Sequence, residues 1–116
     1  MTRIYCDGST TEACYVIEGQ DPEIRVHADV VTNNQGEYLA VIYALWKALR
    51  QGIKDIEILT DSELVVYQTL GRYKVKSPNL QHLWGILNWS AQKFDSFSIQ
   101  HVDRENNPAG RVLDGK

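Results

Sequence analysis

The hydrophobic period of this chain changes at residue 32, and that change limits the folds open to it. Before residue 32 apolar residues mostly alternate with polar ones; a run at helical spacing follows, and from there helices and strands alternate. Residues 3–7 and 13–18 read as strands. Residues 23–31 place Ile24, Val26, Ala28 and Val30 on one face against Arg25, His27 and Asp29 on the other. This is the pattern of a half-buried strand with one wet face. Short connections, among them Gly19-Gln20-Asp21-Pro22, make the three strands an antiparallel meander.

Past the polar run Thr32-Asn33-Asn34-Gln35-Gly36-Glu37, the residues Leu39, Ile42, Tyr43, Trp46 and Leu49 mark a helix face, widened by Val41, Ala44 and Leu45. Asn33 or Asn34 is the expected N-cap, with Glu37 in the first turn, where the helix dipole favours a carboxylate. Gly52 ends the helix. The dense apolar run 55–60 follows, and a strand after a long helix reads as parallel to an earlier one. Residues 62–70 form a short helix, Pro78 opens another with Leu80, Leu83, Trp84 and Leu87 as its stripe, and 96–102 is a last strand. The order β-β-β-α-β-α-α-β-(α) predicts an α/β fold with helices on both faces of the sheet, and one domain over residues 1–116.

The net charge of −3 argues against a protein that grips nucleic acid by bulk electrostatics alone. It is compatible with carboxylates that hold divalent metal. No apolar run approaches the roughly 20 residues that span a bilayer, and the start has no signal-peptide pattern, so no membrane partner and a cytoplasmic location are expected. Cys6 and Cys14 read as small core residues.

Three carboxylates stand out. Asp7 closes the first strand in Ile4-Tyr5-Cys6-Asp7-Gly8-Ser9, Glu37 lies near the start of the long helix, and Asp61 follows the parallel strand. Taken alone, Asp7-Gly8 reads first as a hairpin turn, Glu37 as a dipole-favoured residue and Asp61 as an N-cap. If the two strands are neighbours, however, Asp7 and Asp61 emerge at one sheet edge, where ligands of open α/β sheets bind. Glu37 reaches that edge if its helix crosses the sheet. Such carboxylates repel one another unless they share cations, and an oxygen-only set suits Mg²⁺ or Mn²⁺. Two-metal phosphoryl transfer is the chemistry that fits.

The three motifs, with Tyr73-Lys74-Val75-Lys76 and Val102-Asp103-Arg104-Glu105-Asn106-Asn107, resemble type 1 ribonuclease H over nearly the whole chain, in a short-loop branch without a basic protrusion. The resemblance implies a ribonuclease H-like fold: a five-stranded mixed sheet, three antiparallel strands then two parallel, with a shortened C-terminal helix. It implies a metal-dependent endonuclease acting on the RNA strand of RNA–DNA hybrids, with Asp7, Glu37 and Asp61 as catalytic metal ligands for two Mg²⁺ or Mn²⁺ ions. Ser9, Thr32, Asn33, Asn34 and Gln35 would then touch the hybrid. Short amides at a helix start can meet the 2′-hydroxyls of a shallow minor groove without demanding a sequence. Arg72, Lys74 and Lys76 could contact phosphates or form a solvated loop. A monomer is the default expectation.

The chain also departs from the family pattern. In Asn107-Pro108-Ala109-Gly110-Arg111-Val112-Leu113, Arg111 stands where the family's Asn-x-x-Ala-Asp-x-Leu pattern has a fourth aspartate, and Asp114 lies one turn further on as a substitute. Glu105 is near the place of the family's loop histidine, while His27, His82 and His101 read as structural. The alternative is therefore a weak or inactive module that binds nucleic acid or a partner without cleaving.

Overall fold

The computed structural model describes residues 1–115. Its elements are β1 (Thr2–Gly8), β2 (Glu12–Ile17), β3 (Glu23–Val26), α1 (Asn33–Arg50), β4 (Asp55–Thr60), α2 (Glu63–Thr69), α3 (Pro78–Ala91), β5 (Ser96–His101), a 3₁₀ turn (Arg104–Asn106) and α4 (Pro108–Asp114). The sheet order is β3-β2-β1-β4-β5. β1, β2 and β3 pair antiparallel, whereas β4 is parallel to β1 and β5 parallel to β4. The expected mixed sheet is therefore present, with α1 packed on β1 and β2 and α4 also resting on β1 and β2.

The register explains the core. Ile4 and Cys6 sit opposite Ile58 and Thr60 on one side and Ile17 and Tyr15 on the other. All six are buried. Against them α1 buries Tyr38, Val41, Ile42, Leu45 and Ala48, each large aliphatic side chain contributing about 1.5–3 kcal/mol. The buried stripe is thus offset from the expected one: Trp46 is 39% exposed, and its indole NH donates to Ser90 Oγ at 3.0 Å. No helix among the described residues is long and apolar enough to cross a membrane.

Two local expectations are corrected. The N-cap of α1 is Thr32, not Asn33 or Asn34: its Oγ1 accepts from Gln35 N–H at 3.1 Å, and Gln35 Oε1 accepts from Thr32 N–H at 2.9 Å. This capping box satisfies two orphan donors together and moves Glu37 out of the first turn. The strand expected over 23–31 stops at Val26, and its faces are inverted. Ile24 is 40% exposed and Val26 76%, while His27 is buried. β3 is an edge strand, and its inward face meets the polar flank of α1. There Glu23 pairs with Lys47 at 3.0 Å and accepts from the Tyr15 hydroxyl, and the Arg25 guanidinium lies 4.6 Å from the Tyr43 ring centre.

Candidate active site

Parallel pairing of Cys6 with Thr60 sets the next residues, Asp7 and Asp61, side by side at the carboxyl edge of the sheet. Two glycines bring α1 to that edge. A side-chain carbon on Gly8 would lie 2.0 Å from the Gly36 carbonyl oxygen, and one on Gly36 would lie 2.0 Å from that of Ser9. Backbone thus packs on backbone, closer than any larger residue permits. Gly8 N–H donates to Glu37 Oε1 at 2.6 Å, so the same contact fixes Glu37. The turn expected at Asp7-Gly8 falls three residues later, centred on Thr10-Thr11, where Ser9 N–H donates to Glu12 O. Asp7 and Gly8 remain in β1, opposite Cys14 and Ala13.

The outcome is a cluster in which Asp7, Glu37 and Asp61 each offer an oxygen, all within 4.8 Å of one another. Burial first, then repulsion from Asp61, pushes Asp7 up to about 6; burial first, then repulsion from Asp7, pushes Glu37 up to about 8. Asp7 Oδ1 is buried and has no hydrogen-bond partner. Buried polar atoms almost always find one, so a carboxylate oxygen that faces two other carboxylates and has no hydrogen bond, with only the Arg104 guanidinium 3.8 Å away, fits a divalent cation. Cys6, directly before it, is a core residue whose thiol burial pushes far above the ordinary range.

A cleft of about 370 Å³ opens over the cluster, lined by Asp7, Gly8, Ser9, Asn33, Asn34 and Glu37 on one side and Arg104 and Asp114 on the other. The structure therefore brings Ser9, Asn33 and Asn34 to the carboxylates. The Ser9 hydroxyl already accepts from Thr11 and Glu12 N–H groups, and His27 Nε2 lies 3.1 Å from Ser9 O, which ties the turn to the sheet. Thr32 and Gln35 spend their side chains on capping each other, and Gln35 faces a different hollow, with Leu39 and His82. Lys74 and Lys76 are exposed on the loop after α2, where Lys74 borders a hollow of about 560 Å³ with Tyr73 and Trp84. That loop is anchored by Gln68, which accepts from Tyr38 OH at 2.6 Å and donates to Lys74 O at 3.2 Å.

Three neighbours of the cluster carry little or no signal in the sequence. Arg104 donates from Nη1 to Asp61 Oδ2 at 3.1 Å and from Nη2 to Asp114 Oδ1 at 2.6 Å. Asn107, fully buried, donates to Cys6 O at 2.8 Å and lies 3.4 Å from Asp61 Oδ1, while its own Oδ1 caps α4 through Ala109 N–H. Gly110 abuts Asp7: a carbon added there would sit 3.6 Å from Asp7 Oδ2. Of these, Asn107-Pro108 alone has a local signature, an N-cap followed by proline at the first helical position. Arg111 turns to donate to Glu105 O at 2.9 Å and does not line the cleft, whereas Asp114 does.

The sequence family described as reverse transcriptase-like matches residues 13–113. The crystal structure of RNase H1 from Halobacterium salinarum superposes with a TM-score of 0.87 at 30% identity, over 99% of this chain and 98% of that one. The chain belongs to the type 1 ribonucleases H, within the reverse transcriptase-like family. A second type 1 ribonuclease H, LC11-RNase H1 solved in complex with an RNA/DNA hybrid, has a TM-score of 0.87 at 26% identity, over 97% of this chain and 93% of that one. Among curated proteins, ribonuclease HI of Halobacterium salinarum is 41% identical over 82 residues, 71% of this chain and 41% of that protein. The bifunctional protein Rv2228c of Mycobacterium tuberculosis is 38% identical over 76 residues, 66% of this chain and 21% of that protein. This ribonuclease H chain thus spans less than half the length of these curated relatives.

Proposed function

We propose that this chain is a divalent-metal-dependent endonuclease that hydrolyses the RNA strand of RNA–DNA hybrids, leaving 5′-phosphate and 3′-hydroxyl ends. One observation carries the reading: Asp7, Glu37 and Asp61 converge within 4.8 Å, and Asp7 keeps a buried oxygen without a hydrogen-bond partner. Three hard oxygen donors would hold Mg²⁺ or Mn²⁺, two ions when substrate adds its phosphate oxygens. Bound there, the cations supply an activated water and neutralise the charge on the leaving oxygen.

The chain's own residues do the rest. Gly8 N–H holds Glu37 in one orientation toward Asp7, and Asn107 holds α4 and the Asp61 side against the end of β1. Preset ligands of this kind need no rearrangement when substrate arrives. Asn33 and Asn34, exposed at the first positions of α1 and lining the same cleft, offer amide donors and acceptors to ribose 2′-hydroxyls. Lys74 and Lys76 supply phosphate contacts further along the hybrid. The RNA/DNA hybrid bound by LC11-RNase H1, a relative of nearly the same extent, supports this substrate class.

A second reading, a module that binds without cleaving, is favoured by the Arg104 guanidinium lying against Asp61 and by Arg111 at the place of the family's fourth aspartate. A strand-labelled hybrid separates the two. Cleavage of the RNA strand with Mg²⁺ or Mn²⁺, abolished by EDTA and by Asp61→Asn, is the expected result. Binding without cleavage, unchanged in Asp61→Asn, would sink the enzyme reading.

A further inference from the structure

The carboxylate cluster already contains a cation. Arg104 Nη1 lies 3.1 Å from Asp61 Oδ2 and 3.8 Å from Asp7 Oδ1, the oxygen that has no hydrogen bond. Its other terminal nitrogen, Nη2, is 2.6 Å from Asp114 Oδ1. One guanidinium therefore bridges an inner pair of carboxylates, the buried Asp7 and the half-buried Asp61, and an outer, exposed one. Arg104 is 56% exposed and Asp114 59%, so the side chain has room to withdraw toward solvent.

We propose that Arg104 is the resident counter-ion of the cluster, and that a divalent cation binds by displacing it from Asp7 and Asp61 toward Asp114. The inference rests on the reading of Asp7, Glu37 and Asp61 as metal ligands. An arginine stays protonated at any working pH, so it cannot make way by losing its charge. A divalent ion requires the same Asp7 and Asp61 oxygens at roughly 2.0–2.1 Å, and a guanidinium in contact with them repels it. The group has to move, and Asp114 supplies an outer carboxylate that keeps its second nitrogen paired as it goes. Arg104 is on this account a positioning residue. Before the cation arrives it offsets the repulsion among the three carboxylates, and afterwards it stands at the outer rim of the cleft.

The test is calorimetric titration of Mn²⁺ into metal-free protein without nucleic acid, with thermal unfolding in EDTA and in saturating Mn²⁺. Removing one unit of charge a few ångströms from a divalent ion predicts binding about tenfold tighter in Arg104→Gln. The same variant is expected to melt lower than wild type in EDTA and to recover that loss in Mn²⁺. Arg104→Lys, which keeps the charge, is expected to stay near wild type in affinity. Equal or weaker Mn²⁺ binding by Arg104→Gln overturns the inference, as does a lysine variant that binds as tightly as the glutamine one. If wild type and Arg104→Gln both bind no Mn²⁺, the metal-ligand reading fails and the counter-ion role with it. Nitrogen-15 spectra of the wild-type guanidinium groups need no variant. Arg104 is expected to pass from hindered to freer rotation on Mg²⁺ addition, and an unchanged signal at saturation counts against displacement.

Discussion

Gly8 and Gly36 touch backbone to backbone, and that contact sets the distance between the carboxylates of Asp7 and Glu37. A carbon on Gly8 would meet the Gly36 carbonyl oxygen at 2.0 Å and the Glu37 nitrogen at 2.7 Å. Neither is the end of a flexible side chain, so neither can yield. Gly8→Ala should therefore cost at least the ~1–3 kcal/mol of an overpacked core and abolish hydrolysis. Gly85→Ala is the control. Nothing lies within 4 Å of a carbon added there, in the exposed middle of α3, and a gain of about 0.5–1 kcal/mol is expected. Urea unfolding of both variants checks the contrast.

Asn107 joins the end of β1 to the start of α4. Asn107→Ala removes an N-cap, about 0.5–2 kcal/mol, and leaves the Cys6 carbonyl without its amide donor, roughly 1–3 kcal/mol more. Asn107→Asp keeps the cap oxygen but replaces that donor with an acceptor beside Cys6 O and Asp61. It is expected to be the more destabilised of the two above pH 6. Melting temperatures of the two variants across pH decide it.

The metal-free protein should lose stability as pH rises. Asp7 is raised from 3.8 to about 6 and Glu37 from 4.5 to about 8. Between the ordinary and raised values the native state binds more protons than the unfolded chain, so the free energy of unfolding falls with pH. This contribution is fully present below about pH 4, where both states are protonated, and is gone above about pH 8. Saturating Mg²⁺ favours the ionised carboxylates and should flatten or reverse the slope. Unfolding curves in EDTA and in Mg²⁺ from pH 4 to 8.5 measure both, and a flat metal-free profile would contradict the raised values.

Lys74→Ala combined with Lys76→Ala should weaken hybrid binding without regard to sequence. If each lysine meets one phosphate, the slope of log affinity against log salt should shrink by about 1 for every lysine replaced. Binding isotherms at several salt concentrations read the slope directly. An unchanged slope leaves the loop a solvated one.

Whatever depends on local period is legible in the sequence. Apolar spacing is enough to read the strands of the meander, the long helix and β4. Asp7 and Asp61 are readable because each directly closes or follows a strand. The faces of β3 are not, because an edge strand takes its inward side from what covers it. Here Tyr43 and Lys47 on the flank of α1 receive Arg25 and Glu23, while α4 rests on β1 and β2 and leaves Ile24 and Val26 to solvent. The cap of α1 is ambiguous for a smaller reason: Thr32 and Asn33 are both good caps, and only the reciprocal bond with Gln35 separates them. Arg104 lies in a polar run with no period at all. Its role depends on contacts with Asp61 and Asp114, which sequence distance hides.

The parallel pairing of β1 with β4 also has a consequence in time. β1, β2 and β3 pair with near neighbours, but β4 reaches β1 only after α1 has crossed the sheet. A chain leaving the ribosome would display Asp7 early and gain Glu37 with α1, yet Asp61 takes its place last, after the slowest, least local pairing has formed. A chain stopped before β4 has paired with β1 therefore presents two of the three carboxylates, and the cluster closes only when that distant pairing forms.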